Sequence, residues 1–98
     1  MPGVTDPLPD LVLYGRPGCH LCTEARTTID AILAERRRNG LSLAAVVERD
    51  ISTDPAWERA FFAEIPVVEV GDRRLPLAIS PRGLQRFLDD VLGPVLAS

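Results

Sequence analysis

The chain has 98 residues, of which 46% are hydrophobic and 26% charged, a composition typical of one globular domain. Its formal net charge of −3 argues against a nucleic-acid surface, and no run approaches the roughly 20 apolar residues of a membrane helix. All eleven basic residues are arginine, which excludes lysine Schiff-base chemistry and the P-loop. We therefore predict neither a nucleic-acid partner nor a membrane partner.

The first nine residues contain three prolines and no periodic pattern, which predicts a flexible lead-in to a single domain over residues 10–98. The segment lacks the basic and apolar regions of a signal peptide, so we expect a cytoplasmic protein. The first predicted strand is Leu11-Val12-Leu13-Tyr14, an apolar run ended by Gly15 and typical of a strand buried on both faces. Tyr14 is expected to place its hydroxyl near the surface.

The first predicted helix begins at Cys19-His20-Leu21-Cys22 and ends at Gly40. The basic run Arg36-Arg37-Arg38 stands in its last turn, where cations complement the helix dipole. We expect this run to cap the helix and face solvent rather than bind phosphate. The apolar residues of the helix recur at helical spacing: Cys22, Ala25, Ile29, Ile32 and Leu33.

A second apolar run, residues 43–47, turns polar at Glu48 and predicts a strand parallel to the first, closing a right-handed strand-helix-strand unit. A second helix follows, with Pro55 in its first turn, and Pro66 stops it. Its predicted cap is one of Ser52, Thr53 and Asp54. Its apolar residues fall near one face: Trp57, Phe61 and Ile65.

The last third of the chain predicts a hairpin and a helix. Residues 67–70 and 74–79 flank Gly71-Asp72, and Pro76 assigns the second of these strands to a sheet edge because proline cannot donate to a ladder. Ser80 caps the third helix, and Pro81 occupies its first position. Its apolar stripe is Leu84, Phe87, Leu88, Val91 and Leu92. The order is βαβαββα, an α/β fold.

The two cysteines carry the predicted chemistry. A Cys-x-x-Cys pair beside a strand-helix-strand pattern is typical of a thioredoxin-like redox site. At a helix N-terminus, unpaired amide groups and the helix dipole favour the thiolate, so Cys19 is the predicted nucleophile. Cys22, one turn later, is predicted to attack the mixed disulfide that Cys19 forms with a substrate. Arg16 can stabilise the thiolate or receive a substrate carboxylate, and a protonated His20 lowers the pKa of the thiol.

Other interpretations of the pair remain open. A structural disulfide would close a loop too short to constrain the unfolded chain much. A zinc site could use Cys19, His20 and Cys22 but lacks an obvious fourth ligand, so we predict no metal. A non-enzymic redox sensor or interaction module needs the same dithiol without turnover. Metal or iron-sulfur handling across a dimer is the remaining alternative.

Taken together, the βαβαββα order, the Cys-x-x-Cys pair at the first strand-helix junction and the Ile65-Pro66 step resemble the thioredoxin fold in its minimal glutaredoxin-like form. Residues 13–22 follow the Leu-Tyr-x-Arg-x-Gly-Cys-His-Leu-Cys opening of small bacterial glutaredoxin-family proteins. The resemblance implies a four-stranded mixed sheet with the first strand inside, helices on both faces, and a cis peptide before Pro66 that faces Cys19. It also implies that Ile65 offers its backbone to the substrate.

The resemblance implies a thiol-disulfide oxidoreductase acting on protein or small-molecule disulfides, with no bound cofactor and in monomeric form. Glutathione-using glutaredoxins carry Gly-Gly and then Asp before the last helix, where this chain has Ile79-Ser80-Pro81-Arg82-Gly83. Arg16 matches the basic residue that often precedes the family motif. Glutathione and a flavoenzyme therefore both stand as candidate reductants.

Overall fold

A computed structural model of the chain describes residues 10–40 and 45–93. The predicted lead-in over residues 1–9 lies outside them. The observed elements are β1 (Leu11–Gly15), α1 (His20–Arg38), β2 (Val46–Asp50), a 3₁₀ turn (Ile51–Thr53), α2 (Pro55–Phe61), β3 (Val67–Val70), β4 (Arg73–Leu75) and α3 (Pro81–Leu92). The predicted order is confirmed. None of the described helices is long and apolar enough to cross a membrane.

The four strands form one mixed sheet in the order β2-β1-β3-β4. β1 lies inside it, parallel to β2 and antiparallel to β3, and β4 pairs antiparallel with β3 at an edge. This arrangement agrees with the continuous apolar run of β1, which is buried along its whole length. It also confirms the edge position predicted for the strand beside Pro76.

Alternation along the strands divides the core into two layers, because successive side chains of a strand point to opposite faces. Leu11 and Leu13 face α1 and α3, whereas Val12 and Tyr14 face α2. Apart from Cys22, the predicted apolar stripes of α1 and α3 pack in the first layer, and Trp57, Phe61 and Ile65 pack in the second. Helices therefore cover both faces of the sheet, as the resemblance implied.

The second strand lies further along the chain than predicted. β2 covers Val46–Asp50 and includes the polar residues from Glu48 onward, with Leu11 opposite Val46 and Gly15 opposite Asp50. Residues 43 and 44, which began the predicted strand, lie outside the described residues. β2 tolerates polar side chains because it is an edge strand and none of its residues is fully buried. Pairing with β1, and not apolar content, set the boundary of this element.

The last strand is shorter than predicted, since β4 ends at Leu75, directly before Pro76. The chain then leaves the ladder through Leu77, which has a positive φ of 51°, and a turn in which the Ile79 N–H donates to the Leu77 carbonyl at 2.8 Å. Ser80 caps α3 as predicted, its hydroxyl accepting from the Gly83 N–H at 3.1 Å.

The prediction that the whole basic run faces solvent is wrong for Arg36. The residue is 1% exposed, and its guanidinium donates to the Leu92 and Gly93 carbonyls at 2.9 and 2.8 Å, at the C-terminal end of α3. Asp89 lies 3.5 Å from the same guanidinium. Arg36 thus caps α3, a different helix from its own. The sequence around α1 carries no signal for this contact because the partner carbonyls lie more than fifty residues away.

Several element ends meet along one side of the sheet. This side is formed by the ends of the strands and is distinct from the edge strands β2 and β4. β1 and β2 are parallel and end there, β3 begins there, and β4 ends there. α1 follows β1 and so begins at this edge, and α2 ends shortly before β3. The C-terminal ends of α1 and α3 meet through Arg36, so α3 also begins at this edge. We call it the active edge, since both cysteines lie on it.

Candidate active site

Cys19 occupies the N-cap position of α1, as predicted from the motif. Its backbone is extended (φ −83°, ψ 104°), and its sulfur accepts a hydrogen bond from the Cys22 N–H at 3.1 Å. The turn before it is closed by the Cys19 N–H donating to the Arg16 carbonyl at 3.2 Å. A sulfur in this position receives an amide that has no partner within the helix and lies at the positive end of the helix dipole. The hydrogen bond from the Cys22 amide and the helix dipole both favour the Cys19 thiolate over the thiol.

The two sulfurs differ in accessibility. Cys19 is partly exposed, whereas Cys22 is buried, with 8% of its surface exposed. A Cβ atom at Gly15 would stand 2.9 Å from the Cys22 sulfur, so only glycine leaves room for that sulfur against the end of β1. The accessible sulfur is therefore the one at the helix N-terminus, and the buried sulfur is held one turn behind it.

The cysteines are joined as a disulfide, with their Cα atoms 5.2 Å apart. This separation lies within the ordinary range for such bonds, about 4.4–6.8 Å. The start of α1 therefore holds the two cysteines at a separation that suits a disulfide.

Arg16 and His20 flank the pair on the chain. The Arg16 guanidinium bonds the carboxylate of Glu58 in α2, each side chain being about 40% exposed. His20 is 86% exposed in its side chain, and its Nε2 lies 2.8 Å from the Glu24 carboxylate one turn along α1. Both residues thus have acidic partners, and their roles in tuning the thiol or binding substrate stay predictions.

The Ile65–Pro66 peptide bond is cis, as the resemblance implied. Extending the β1–β3 register beyond Tyr14 and Val67 brings Pro66 opposite Gly15, next to the loop that carries Cys19. The Ile65 N–H donates to the Phe61 carbonyl at 3.2 Å, at the end of α2. The amide of Ile65 therefore already has a partner, and substrate pairing predicted for this residue would use its carbonyl.

A pocket of about 330 Å³ opens on the β2 side of the disulfide. Its walls combine the β1–α1 loop and the end of β2: Leu13, Gly15, Arg16, Pro17, Cys19, Cys22, Thr23, Glu48, Arg49 and Asp50. Bonds from the Ser52 hydroxyl and N–H, at 2.6 and 2.9 Å, lower the pKa of the Asp50 carboxyl, with Arg16 adding to the effect. The sequence analysis did not place Glu48 and Asp50 beside the cysteines, because it ended the second apolar run before Glu48.

Tyr14 lies beneath the site with 4% of its surface exposed, and its hydroxyl bonds two side chains that are themselves partly exposed. Its hydroxyl donates to Glu69 at 3.1 Å and accepts from Arg49 at 3.3 Å. Its ring packs against Phe61 and Trp57, at centroid distances of 4.5 and 5.8 Å. This cluster joins β1, β2, β3 and α2 behind the active edge. Burial, followed by the bond and charge of Glu69, raises the pKa of the Tyr14 phenol above 10.0.

We expect the Tyr14 phenol to titrate above pH 10 in the folded protein and at its ordinary value in denaturant. The neutral phenol is favoured by folding, so this contribution to stability is complete below pH 10 and is lost as pH rises through the folded pKa. Tyr14 is the only tyrosine, so ultraviolet absorbance of phenolate reports it alone. Glu69→Gln should lower the midpoint, and identical midpoints in folded and unfolded protein would contradict the assignment.

Among residues 10–40 and 45–93, no three histidine, cysteine or carboxylate side chains lie together in a way that could hold a metal ion. The zinc site considered from the sequence, with Cys19, His20 and Cys22, is therefore not assembled within this part of the chain.

The sequence profile of the glutaredoxin-like domain (DUF836) matches residues 10–96, nearly the whole chain. The protein belongs to this family. The Cys-x-x-Cys pair of this glutaredoxin-like domain lies at the first strand-helix junction. No curated protein matches the chain.

Two solved structures resemble this glutaredoxin-like domain. The X-ray structure of target protein XcR50 from X. campestris has 28% sequence identity and a TM-score of 0.64, covering 82% of this chain and 96% of its own. The solution NMR structure of protein Ne2328 from Nitrosomonas europaea has 22% identity and a TM-score of 0.54, covering 78% and 81%. The chain has the thioredoxin-like fold that the sequence predicted.

Proposed function

We propose that the protein is a thiol-disulfide oxidoreductase that uses Cys19 as nucleophile and Cys22 as resolving thiol. One observation carries the proposal: the accessible sulfur is the N-cap of α1 and accepts the Cys22 amide, while the second sulfur is buried one turn behind. A static bridge requires no such asymmetry. The arrangement supplies an attacking group and a resolving group in the order that disulfide exchange needs.

In the proposed reaction, the Cys19 thiolate attacks one sulfur of a substrate disulfide, and the other substrate sulfur leaves as a thiolate that takes up a proton. Cys22 then loses its proton and attacks the Cys19 sulfur, which releases the second substrate thiol. The protein dithiol gives up two electrons and two protons and becomes the disulfide. A cytoplasmic thiol pool, through glutathione or a flavoenzyme, would reduce it again.

Arg16, Ile65 and Pro66 are the proposed substrate contacts, and His20 the proposed tuning residue. Support for Arg16 and Pro66 is their position beside the Cys19 loop. The Arg16–Glu58 ion pair is exposed to solvent, and such pairs contribute about 0–1 kcal/mol, so a substrate carboxylate can compete for Arg16.

The test is the reduction potential of the Cys19–Cys22 pair. The protein is equilibrated against graded glutathione buffers, free thiols are counted, and mass spectrometry detects any glutathione adduct. We expect a reversible two-electron transition at about −200 to −300 mV, near the cytosolic poise. A glutathione adduct on Cys19 would make glutathione the proposed reductant. A pair that stays reduced throughout, or cannot be reduced, would refute the oxidoreductase.

A further inference from the structure

The pocket on the β2 side of the disulfide combines both sulfurs with charged side chains of both signs. Arg16, Glu48 and Asp50 line it beside Cys19 and Cys22. Its volume of about 330 Å³ lies near the lower end of the range for small-molecule sites, about 300–1,000 Å³. The pocket therefore has room for a compact molecule that carries charge close to its reacting sulfur.

The strand register places Asp50 next to the buried sulfur. Gly15 and Asp50 are partners in the parallel β1–β2 ladder, so their side-chain positions lie on the same face of the sheet. A Cβ atom at Gly15 would stand 2.9 Å from the Cys22 sulfur, so this sulfur occupies the side-chain position of Gly15. Neighbouring strands lie about 4.8 Å apart. Asp50 thus stands beside the Cys22 sulfur, one strand away.

The two carboxylates of the pocket differ in what they already bind. Glu48 is paired with Arg26, whose guanidinium donates to it at 2.7 Å. The Ser52 hydroxyl and N–H both donate to Oδ1 of Asp50, and these bonds hold the pKa of its carboxyl below the ordinary value. Among the described residues, no hydrogen bond reaches Oδ2 of Asp50. Asp50 is therefore an ionised group with one oxygen left for a further donor.

Arg16 supplies a positive charge near Asp50 without being bonded to it. This charge contributes to the lowered pKa of the Asp50 carboxyl, so the two groups lie close together. The Arg16 guanidinium bonds Glu58 instead, and within residues 10–40 and 45–93 no ion pair joins Arg16 to Asp50. A ligand that carries both charges can therefore contact both residues without first separating them.

A free amino acid carries an ammonium group and a carboxylate on the same carbon. In the disulfide of such an amino acid, a single methylene group separates that carbon from each sulfur. A cysteine within a polypeptide has neither charge, because both groups are in peptide bonds, and the cysteine of glutathione is likewise amidated on both sides. Opposite charges beside the reacting sulfurs therefore match a free amino-acid disulfide better than either of these.

We propose that the pocket binds the disulfide of a free amino acid, with its carboxylate at Arg16 and its ammonium group at Asp50. The inference rests on the proposed oxidoreductase and names its substrate class. The Cys19 thiolate attacks one sulfur of this substrate, and one amino-acid thiolate leaves and takes up a proton. Cys22 then gives up its proton and displaces the second amino-acid thiol from Cys19, so two electrons and two protons pass from the protein to the substrate.

The experiment compares three disulfides that share one carbon framework. Cystine carries both charges, cystamine only the ammonium groups, and dithiodipropionate only the carboxylates. The full chain is reduced, freed of reductant and mixed at low salt with an excess of each, and the loss of protein thiols is followed. Each rate is divided by that of the same disulfide with dithiothreitol, which corrects for leaving-group reactivity. We expect cystine to exceed both analogues about tenfold, the low end for a hydrogen bond to a charged group.

Two variants separate the two contacts. In Asp50→Asn, which keeps an oxygen for the Ser52 amide, cystine should lose its advantage over dithiodipropionate and keep its advantage over cystamine. In Arg16→Gln we expect the reverse. Asp72 is exposed and does not line the pocket, so Asp72→Asn is the control for a lost negative charge and should leave both ratios unchanged. Unfolding transitions establish that the variants fold.

Three outcomes overturn the inference and leave the oxidoreductase standing. The first is a normalised rate for either analogue that equals or exceeds that of cystine. The second is a variant that lowers all three rates by one factor, which would give the replaced residue a structural role only. The third is a faster normalised reaction with glutathione disulfide than with cystine. If the wild type reduces none of the four disulfides, the proposed function fails and the inference with it.

Discussion

Replacing Cys19 by serine is expected to abolish disulfide reduction, lowering the rate at least about a thousandfold to that of the uncatalysed reaction. Serine keeps the shape of the N-cap, and its oxygen accepts amide hydrogen bonds well. Its hydroxyl does not ionise near neutral pH, however, so it supplies no nucleophile. Loss of the reaction would therefore come from the chemistry of the sulfur and not from damage to the start of α1.

Cys22→Ser is the matched control, because it removes the same disulfide from the folded protein by the same substitution. This variant keeps the accessible sulfur at the helix N-terminus and should complete the first attack but not the second. Mixed with a substrate disulfide in the absence of other thiols, it should accumulate one substrate thiol on Cys19. Intact-mass measurement after a single turnover detects this adduct.

The outcome that contradicts the mechanism is specific. Retained activity in Cys19→Ser would remove Cys19 as nucleophile. Equal activity of both serine variants, with no adduct on Cys22→Ser, would favour a structural bridge or a sensor whose pair does not turn over. Adduct formation on Cys22→Ser but not on Cys19→Ser is the pattern that the accessibility of the two sulfurs predicts.

Replacing Arg36 by alanine is expected to lower the free energy of unfolding by about 3 kcal/mol. The substitution leaves the Leu92 and Gly93 carbonyls without these donors, removes one of the partners of Asp89, and opens a cavity between α1 and α3. Arg36→Met, which refills part of that cavity with an apolar chain, should lose less. Urea unfolding of the oxidised protein measures both changes.

Arg37→Ala is the control for this experiment. Arg37 follows Arg36 in the same helical turn but is exposed, so its replacement should change the free energy of unfolding by no more than about 0.5 kcal/mol. If the Arg36 and Arg37 variants were equally stable, the contact between the two helices would have no energetic importance, and the basic run would act only as the sequence suggested.

The Cys-x-x-Cys pair and its setting were predictable from local sequence. Two cysteines separated by two residues, directly after an apolar run and at the start of a helical stripe, determine which sulfur caps the helix, because capping depends on residues within one turn. The same locality explains why the Ser80 cap of α3 was predicted. It also explains why Asp54 was among the three predicted caps of α2.

Errors occurred where the outcome depended on distant neighbours. β2 lies later in the chain than its apolar run suggested, because an edge position permits polar residues. Arg36 is buried because its guanidinium reaches the carbonyls at the end of α3. Neither fact is encoded within a few residues of the position concerned.

The sequence by itself determined the order of the elements, the disulfide-forming pair and the helix caps, since each depends on residues close along the chain. Only the tertiary structure decided that Arg36 caps α3 and that Gly15 makes room for the Cys22 sulfur. These features join residues that are far apart in the chain, and their positions follow from strand order and helix direction. Periodicity and spacing describe neighbours along the chain, whereas packing brings the distant residues together.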